Sequence, residues 1–196
     1  DDTAAALTEL GSPDAIGVAV DLFDGDSVQA AITEIGERWG HLNAVVNAAG
    51  PMAGGLKSFE TYTDEDWLGV FNGLTLSAVR TVRAALPYLR RAEWARIVNV
   101  SAMSTKRQSP PLIAYTAAKS ALTSLTKNLA QTLAPDGILV NTVSPGTFAS
   151  DSFKEALSQM GGVDVDDLHD IMRFIGQGFG HSVFLDRAAN PSEIGP

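Results

Sequence analysis

Arg96-Ile-Val-Asn-Val-Ser101, Tyr115-Thr-Ala-Ala-Lys119 and Ile138-Leu-Val-Asn-Thr-Val-Ser-Pro-Gly146 decide the fold. The first and third are short apolar runs rich in β-branched residues, the pattern of strands buried on both faces. Between them Leu112 to Leu133 carries a helix with no internal breaker. Strand, helix, strand is the unit that lays two parallel strands side by side.

The same alternation extends outward from this stretch. Ala44 to Asn47 is an apolar strand followed by a glycine-rich loop (Gly50, Gly54, Gly55). A long helix begins at Thr63, where T-x-x-D imitates a capping box, and runs to Arg91 with Pro87 expected to kink its last turns. It carries Trp67, Val70, Phe71, Leu74, Ala78, Val82 and Ala85 on one side. Further upstream, Asp24 or Asp26 caps a helix ending at Gly40, Ile16 to Val20 reads as a strand stopped by Asp21, and residues 1 to 10 as a helix tail stopped at Gly11. Beyond Gly146 the regularity breaks into helical stretches at 152–160 and 165–175, a Gly-Phe segment and a helix opened by Pro191. Residues 1–196 read as one α/β domain, with 147–190 as a lid hung on the carboxyl end of a strand.

Composition excludes several classes. Fourteen Lys and Arg against 23 Asp and Glu give a net charge of -9 and a pI near 4.7, the wrong sign for a phosphate backbone. With no cysteine there is no disulfide framework or thiolate metal site, and a reducing cytoplasm is the expected location. No apolar run approaches the length of a membrane-spanning helix.

The chemistry centres on Tyr115 and Lys119, which a spacing of four puts on one helix face. A phenol near pKa 10 becomes a neutral-pH acid or base if lowered by about three units, a shift of about 4 kcal/mol. An ammonium about 4 Å away at an effective dielectric near 20 supplies that much. Asn47-Ala48-Ala49-Gly50 follows a strand with residues small enough for a flat ligand to approach, and Pro145-Gly146 is a stiff turn ending another. Asp21 either receives an adenine amino group or caps a helix.

Taken in order, V-A-V-D-L (18–22), V-V-N-A-A-G (45–50), R-I-V-N-V-S, Y-T-A-A-K and I-L-V-N-T-V-S-P-G resemble the short-chain dehydrogenase/reductase family over nearly the whole chain. The resemblance implies a doubly wound, Rossmann-type parallel sheet in three α-β-α layers, truncated at both ends, that binds NAD or NADP. It implies hydride transfer between nicotinamide and a ketone or secondary alcohol. Tyr115 would be the proton donor or acceptor, and Lys119 would lower its pKa and hold the nicotinamide ribose. Asp21 and Leu22 would flank the adenine, and Asn47, Ala48 and Gly50 would line the cofactor. Pro145, Gly146, Phe148 and Ser150 would hold its carboxamide and pyrophosphate side. The family's carbonyl-binding serine falls at Ala102, thirteen before Tyr115, which leaves Ser101 or Ser104, with Ser101 the nearer replacement. Its helix asparagine falls at Leu74, with Asn72 two residues away. Relatives with epimerase or dehydratase chemistry, or without catalysis, are the alternatives.

Phe148, Phe153, Met160, Ile171, Met172, Phe174, Ile175, Phe179 and Phe184 gather in or beside the lid and imply a small, partly apolar substrate. No nucleic acid or membrane partner is implied, and the resemblance suggests a homodimer or homotetramer. The Asp164, Asp166, Asp167, His169 and Asp170 cluster lacks the glycine of a calcium loop and reads as a helix start, so no metal is assigned. Gly176-Gln-Gly-Phe-Gly180 follows no strand and is no phosphate loop. In a sheet of order 3-2-1-4-5-6, Ile16 to Val20 and Ala44 to Asn47 are separated by two strands, so a longer polypeptide of about 250 residues is expected, with a gap between those segments.

Overall fold

The computed structural model describes residues 2–50, 57–181 and 183–194. A first helix, α1 (Asp2–Glu9), stops at Gly11, whose φ of 98° lies where a side chain would be strained. Asp24 accepts the Asp26 N–H and opens α2 (Gly25–Trp39), which ends on left-handed Gly40.

Three strands, β1 (Ala44–Asn47), β2 (Ala95–Val100) and β3 (Ile138–Val143), form a parallel sheet in the order β1-β2-β3. The register sets Asn47 opposite Asn99 and Val100 opposite Val143, so the loops after all three strands leave at one carboxyl edge. Val45, Ile97, Ile138 and Val140 point to one face and are covered by Val82, Ala85 and Leu89 of α4 (Ser77–Leu89) and Leu129 and Leu133 of α5 (Ile113–Leu133). Val46, Leu139 and Val143 on the opposite face are exposed. Of the three layers expected from the sequence, the described residues thus pair one sheet face with helices.

Gly36 of α2 lies against the ring of Tyr88 in α4, where an added Cβ would stand 2.5 Å from ring carbons. Gly36→Ala is therefore expected to destabilise the fold by about 1–3 kcal/mol despite the better helix propensity of alanine. Thermal melts of the two proteins measure it; an unchanged or higher Tm would mean that the helices separate at no cost.

One sequence expectation is corrected. Ile16 to Val20 is not a strand: it carries no ladder, because no described segment runs alongside to supply the partner that defines one. Val18 and Val20 face β1 across an apolar cleft of about 170 Å3, in the place where a gap was expected. The long helix expected from Thr63 runs without a break to Leu89, with one π turn inside it. The capping box forms, with Thr63 accepting the Asp66 N–H and the Asp66 carboxylate taking the Thr63 N–H, and α3 covers Asp64–Phe71. One wide π turn, Asn72–Leu76, then joins it to α4, which runs through Pro87 to Leu89. Inside the turn Ser77 donates to the Gly73 carbonyl (2.6 Å) and Thr75 to the Ala118 carbonyl of α5 (2.9 Å).

The C-terminal segment builds a small core of its own from Ala149, Leu157, Ile171, Met172, Ile175 and Ala188. Its helices are α6 (Asp151–Met160) and α7 (Leu168–Phe179), and α7 takes in most of the expected Gly-Phe segment before ending at left-handed Gly180. The acidic cluster serves this segment, with Asp167 capping α7 through the His169 N–H and Asp170 receiving the Asp164 N–H. Ser109 donates to the Phe179 carbonyl (2.7 Å), and the Arg107 carbonyl makes His181 Nε2 a donor (2.9 Å), so the end of α7 is fastened to the loop before α5.

Candidate active site

Helix α5 crosses from β2 to β3 and presents Tyr115 and Lys119 one turn apart. Ala114 and Ala118 pack beneath Val70 and Leu74, with Tyr62, Trp67 and Tyr115 against them, which fixes the tyrosine from the side. Lys119 is buried, and its ammonium donates to the Val100 carbonyl at the end of β2 (2.7 Å) while standing 5.9 Å from the Tyr115 ring centre. The expected lowering of the phenol pKa is not what this arrangement produces. Burial pushes the Tyr115 phenol above its ordinary value and the Lys119 ammonium below its own. The ammonium is turned to the strand carbonyl, and burial sets the direction of both shifts.

The two candidate serines differ sharply. Ser101 shares a 2.7 Å hydrogen bond with Thr123 Oγ1 and donates to the Lys119 carbonyl, so its hydroxyl is committed to α5. The Ser104 hydroxyl is buried and has no hydrogen-bond partner among the described residues. It lies in the loop leaving the carboxyl end of β2, which the Met103 N–H ties to the Pro145 carbonyl after β3 (3.0 Å). Ala102 is buried beside it, and Leu74 is buried in the wall behind Tyr115. Asn72 is held by Arg80 at 2.6 Å.

Leu22, Asn47 and Ala48 line the cleft between the 18–22 segment and β1, which Ser77, Ala78 and Thr81 of α4 also border. Asp21 is exposed at the adjoining turn, its Oδ1 accepting the Phe23 N–H (2.9 Å). Gly50 is required by close approach: a Cβ there would stand 2.7 Å from Leu74 Cδ2. Gly54 and Gly55 of the same loop lie outside the described residues. On the other side Phe148 bridges to Ala189, and the Ser150 hydroxyl caps α6 by accepting the Phe153 N–H. Ile171, Met172 and Ile175, expected near the substrate, belong to the core of their own segment.

Sequence reasoning missed a buried polar chain. Asn47 donates to Asn99 Oδ1 (2.8 Å), Asn99 to Thr126 Oγ1 (2.9 Å), and Thr126 to the Leu122 carbonyl (2.8 Å), linking β1, β2 and α5. The available signal was an asparagine within or ending each of the first two apolar runs, Asn99 and Asn47, which the register sets opposite each other. Among the described residues no group of three or more His, Cys, Asp and Glu is placed to hold a metal ion, and no helix is long and apolar enough to cross a membrane.

A parallel sheet crossed by helices, with a cleft at its carboxyl edge, defines a Rossmann-like α/β protein. The chain belongs to the short-chain dehydrogenase family, whose model matches residues 1–161. It is similar to the uncharacterized oxidoreductase YvrD of Bacillus subtilis, with 33% identity over 153 residues, 76% of this chain and 57% of that protein. It is similar also to a 3beta-hydroxysteroid dehydrogenase of Mediterraneibacter gnavus, with 34% identity over 141 residues, 72% of this chain and 50% of that one. The fold matches the crystal structure of an NAD+-bound xylitol dehydrogenase with a TM-score of 0.82 at 22% identity, covering 98% of this chain and 74% of the other. The chain spans little more than half the length of these two curated relatives.

Proposed function

We propose that this chain forms the catalytic part of an NAD(P)-dependent oxidoreductase that reduces a small ketone, or oxidises the matching secondary alcohol, with Tyr115 moving the proton. The carrying observation is the Tyr115 phenol beside the buried Lys119 ammonium at the carboxyl edge of the sheet. The residues present fit a dinucleotide: Leu22, Asn47 and Ala48 line a cleft beside β1, and Ser104 offers a buried hydroxyl without a hydrogen-bond partner among the described residues. Leu22, Asn47, Ala48 and Gly50 would hold the cofactor on one side, with Asp21 at the adenine and Pro145 and Gly146 opposite.

A bound nicotinamide would supply or accept the hydride. The raised phenol pKa keeps Tyr115 protonated at neutral pH, which suits it to donate to the carbonyl oxygen as that oxygen gains charge. Lys119 spends one of its three N–H groups on Val100, leaving two for ribose hydroxyls and the phenol oxygen. Ser104, rather than the committed Ser101, would hold the substrate oxygen. The segment 147–190 would cover the bound substrate.

Loss of reduced-nicotinamide absorbance over a panel of ketones, with NADH and NADPH in turn, tests the reading. No turnover on any ketone alongside tight cofactor binding would favour a non-catalytic relative. Within the active enzyme, Ser104→Ala is expected to lower kcat about a hundredfold, as removal of one donor to a developing oxyanion does. Ser101→Ala is expected instead to cost about 1 kcal/mol of stability and leave kcat nearly unchanged. The reverse pattern in kinetics and melts would return the role to Ser101.

A further inference from the structure

We propose that Arg80 is a positioning residue for the adenine end of the cofactor site, an inference that rests on the dinucleotide reading above. From the first full turn of α4 its Nη1 donates to two acceptors: the Leu22 carbonyl (3.1 Å) and Asn72 Oδ1 in the π turn (2.6 Å). Its stem lies across the start of α2, where a Cβ added to Gly25 would meet Nε at 3.8 Å.

This placement is not explained by charge alone. The neighbouring Asp21-Leu-Phe-Asp-Gly-Asp26 turn offers three carboxylates, yet Arg80 forms no ion pair with any of them. A cation beside a helix N-terminus also sits at the wrong end of the helix dipole. The guanidinium is held there by a main-chain carbonyl on one side and the π turn on the other. Meanwhile Asp21 Oδ1 and Asp24 Oδ1 are turned onto the backbone N–H groups of Phe23 and Asp26. Asp21 Oδ2 has no partner among the described residues and is left for a donor from outside, such as an exocyclic amino group.

The segment before this turn has no ladder to hold it: the Asp21 N–H is tied to Ser27 Oγ of α2 (2.9 Å), and Arg80 ties the next residue, through the Leu22 carbonyl, to α4. Without the Arg80 bond the turn would keep its tie to α2 but not its placement against α4, and recognition of the adenine amino group by Asp21 would weaken while the nicotinamide end kept its own contacts.

The test compares the protein's affinity for its reduced dinucleotide with that for the hypoxanthine analogue, in which the amino group is replaced by a carbonyl oxygen. Wild type is expected to prefer the adenine form, and Arg80→Leu to reduce that preference about tenfold, the worth of one charge-assisted hydrogen bond. Arg80→Lys should restore part of it. Asn72→Ala, which removes one acceptor, should reduce it less and guards against a leucine variant that fails to fold. Equal weakening of both dinucleotides, an unchanged ratio, or a wild type that does not discriminate would overturn the proposal. A wild type that binds neither dinucleotide would overturn the proposed function itself, and this role with it.

Discussion

Tyr115→Phe is expected to lower kcat for ketone reduction at least about a hundredfold, the usual worth of a positioned general acid, with cofactor affinity and Tm close to wild type. The substitution removes one oxygen and leaves the ring, and the ring is what packs against Val70, Leu74, Ala114 and Ala118. Steady-state rates and cofactor titrations on the same preparation separate the two effects. A variant retaining more than about a tenth of kcat would have lost under ~1.4 kcal/mol, too little for an essential acid. In wild type the pH profile of reduction should be flat through neutrality. It should fall only in alkali, since a phenol held above its ordinary value keeps its proton longer.

Lys119→Met should separate stability from function in the opposite directions. Burial lowers the Lys119 pKa from the ordinary 10.5, so the unfolded chain holds that proton more readily, and the charged lysine opposes folding at neutral pH. The penalty fades as pH rises through the folded-state value and towards 10.5, where both states lose the proton. Methionine fills nearly the same volume without the charge, so Tm should rise by a few degrees, about 1 kcal/mol, even though the Val100 carbonyl loses its donor. Turnover should collapse, with kcat/KM down about a thousandfold, because the two remaining N–H groups and the positive charge beside the phenol disappear together. A lower Tm would mean that the bond to Val100 outweighs desolvation. An unchanged kcat/KM would remove Lys119 from the site.

The strands at 44–47, 95–100 and 138–143 and the helix between them were legible because local pattern and tertiary role agree there. Ile16 to Val20 reads as a strand from its side chains alone, but a strand exists only with a neighbour, and pairing is not encoded in the segment itself. The π turn at Asn72–Leu76 was invisible for a related reason: its extra residue is accommodated by Thr75 reaching the Ala118 carbonyl, a contact between residues far apart in the chain. That Tyr115 and Lys119 stand one turn apart on one helix was readable from spacing. The difference between Ser101 and Ser104 was not, because it depends on Thr123 lying within 2.7 Å of one hydroxyl and on the other having no hydrogen-bond partner among the described residues. The sign of the Tyr115 shift was missed for want of burial, which spacing does not report.

The Asn47–Asn99–Thr126 chain gives the binding edge two unequal halves. On one side, side chains lock two strands and a helix together, so those backbones open only when the sheet does. On the other, residues 16–22 run without a ladder and depend on few tethers. A rigid ligand laid along the edge would find the first half already arranged and would lose freedom mainly in the second. The entropy lost on binding is therefore concentrated at one end of the molecule, and changes that stiffen residues 16–22 should tighten binding without adding a single contact to the ligand.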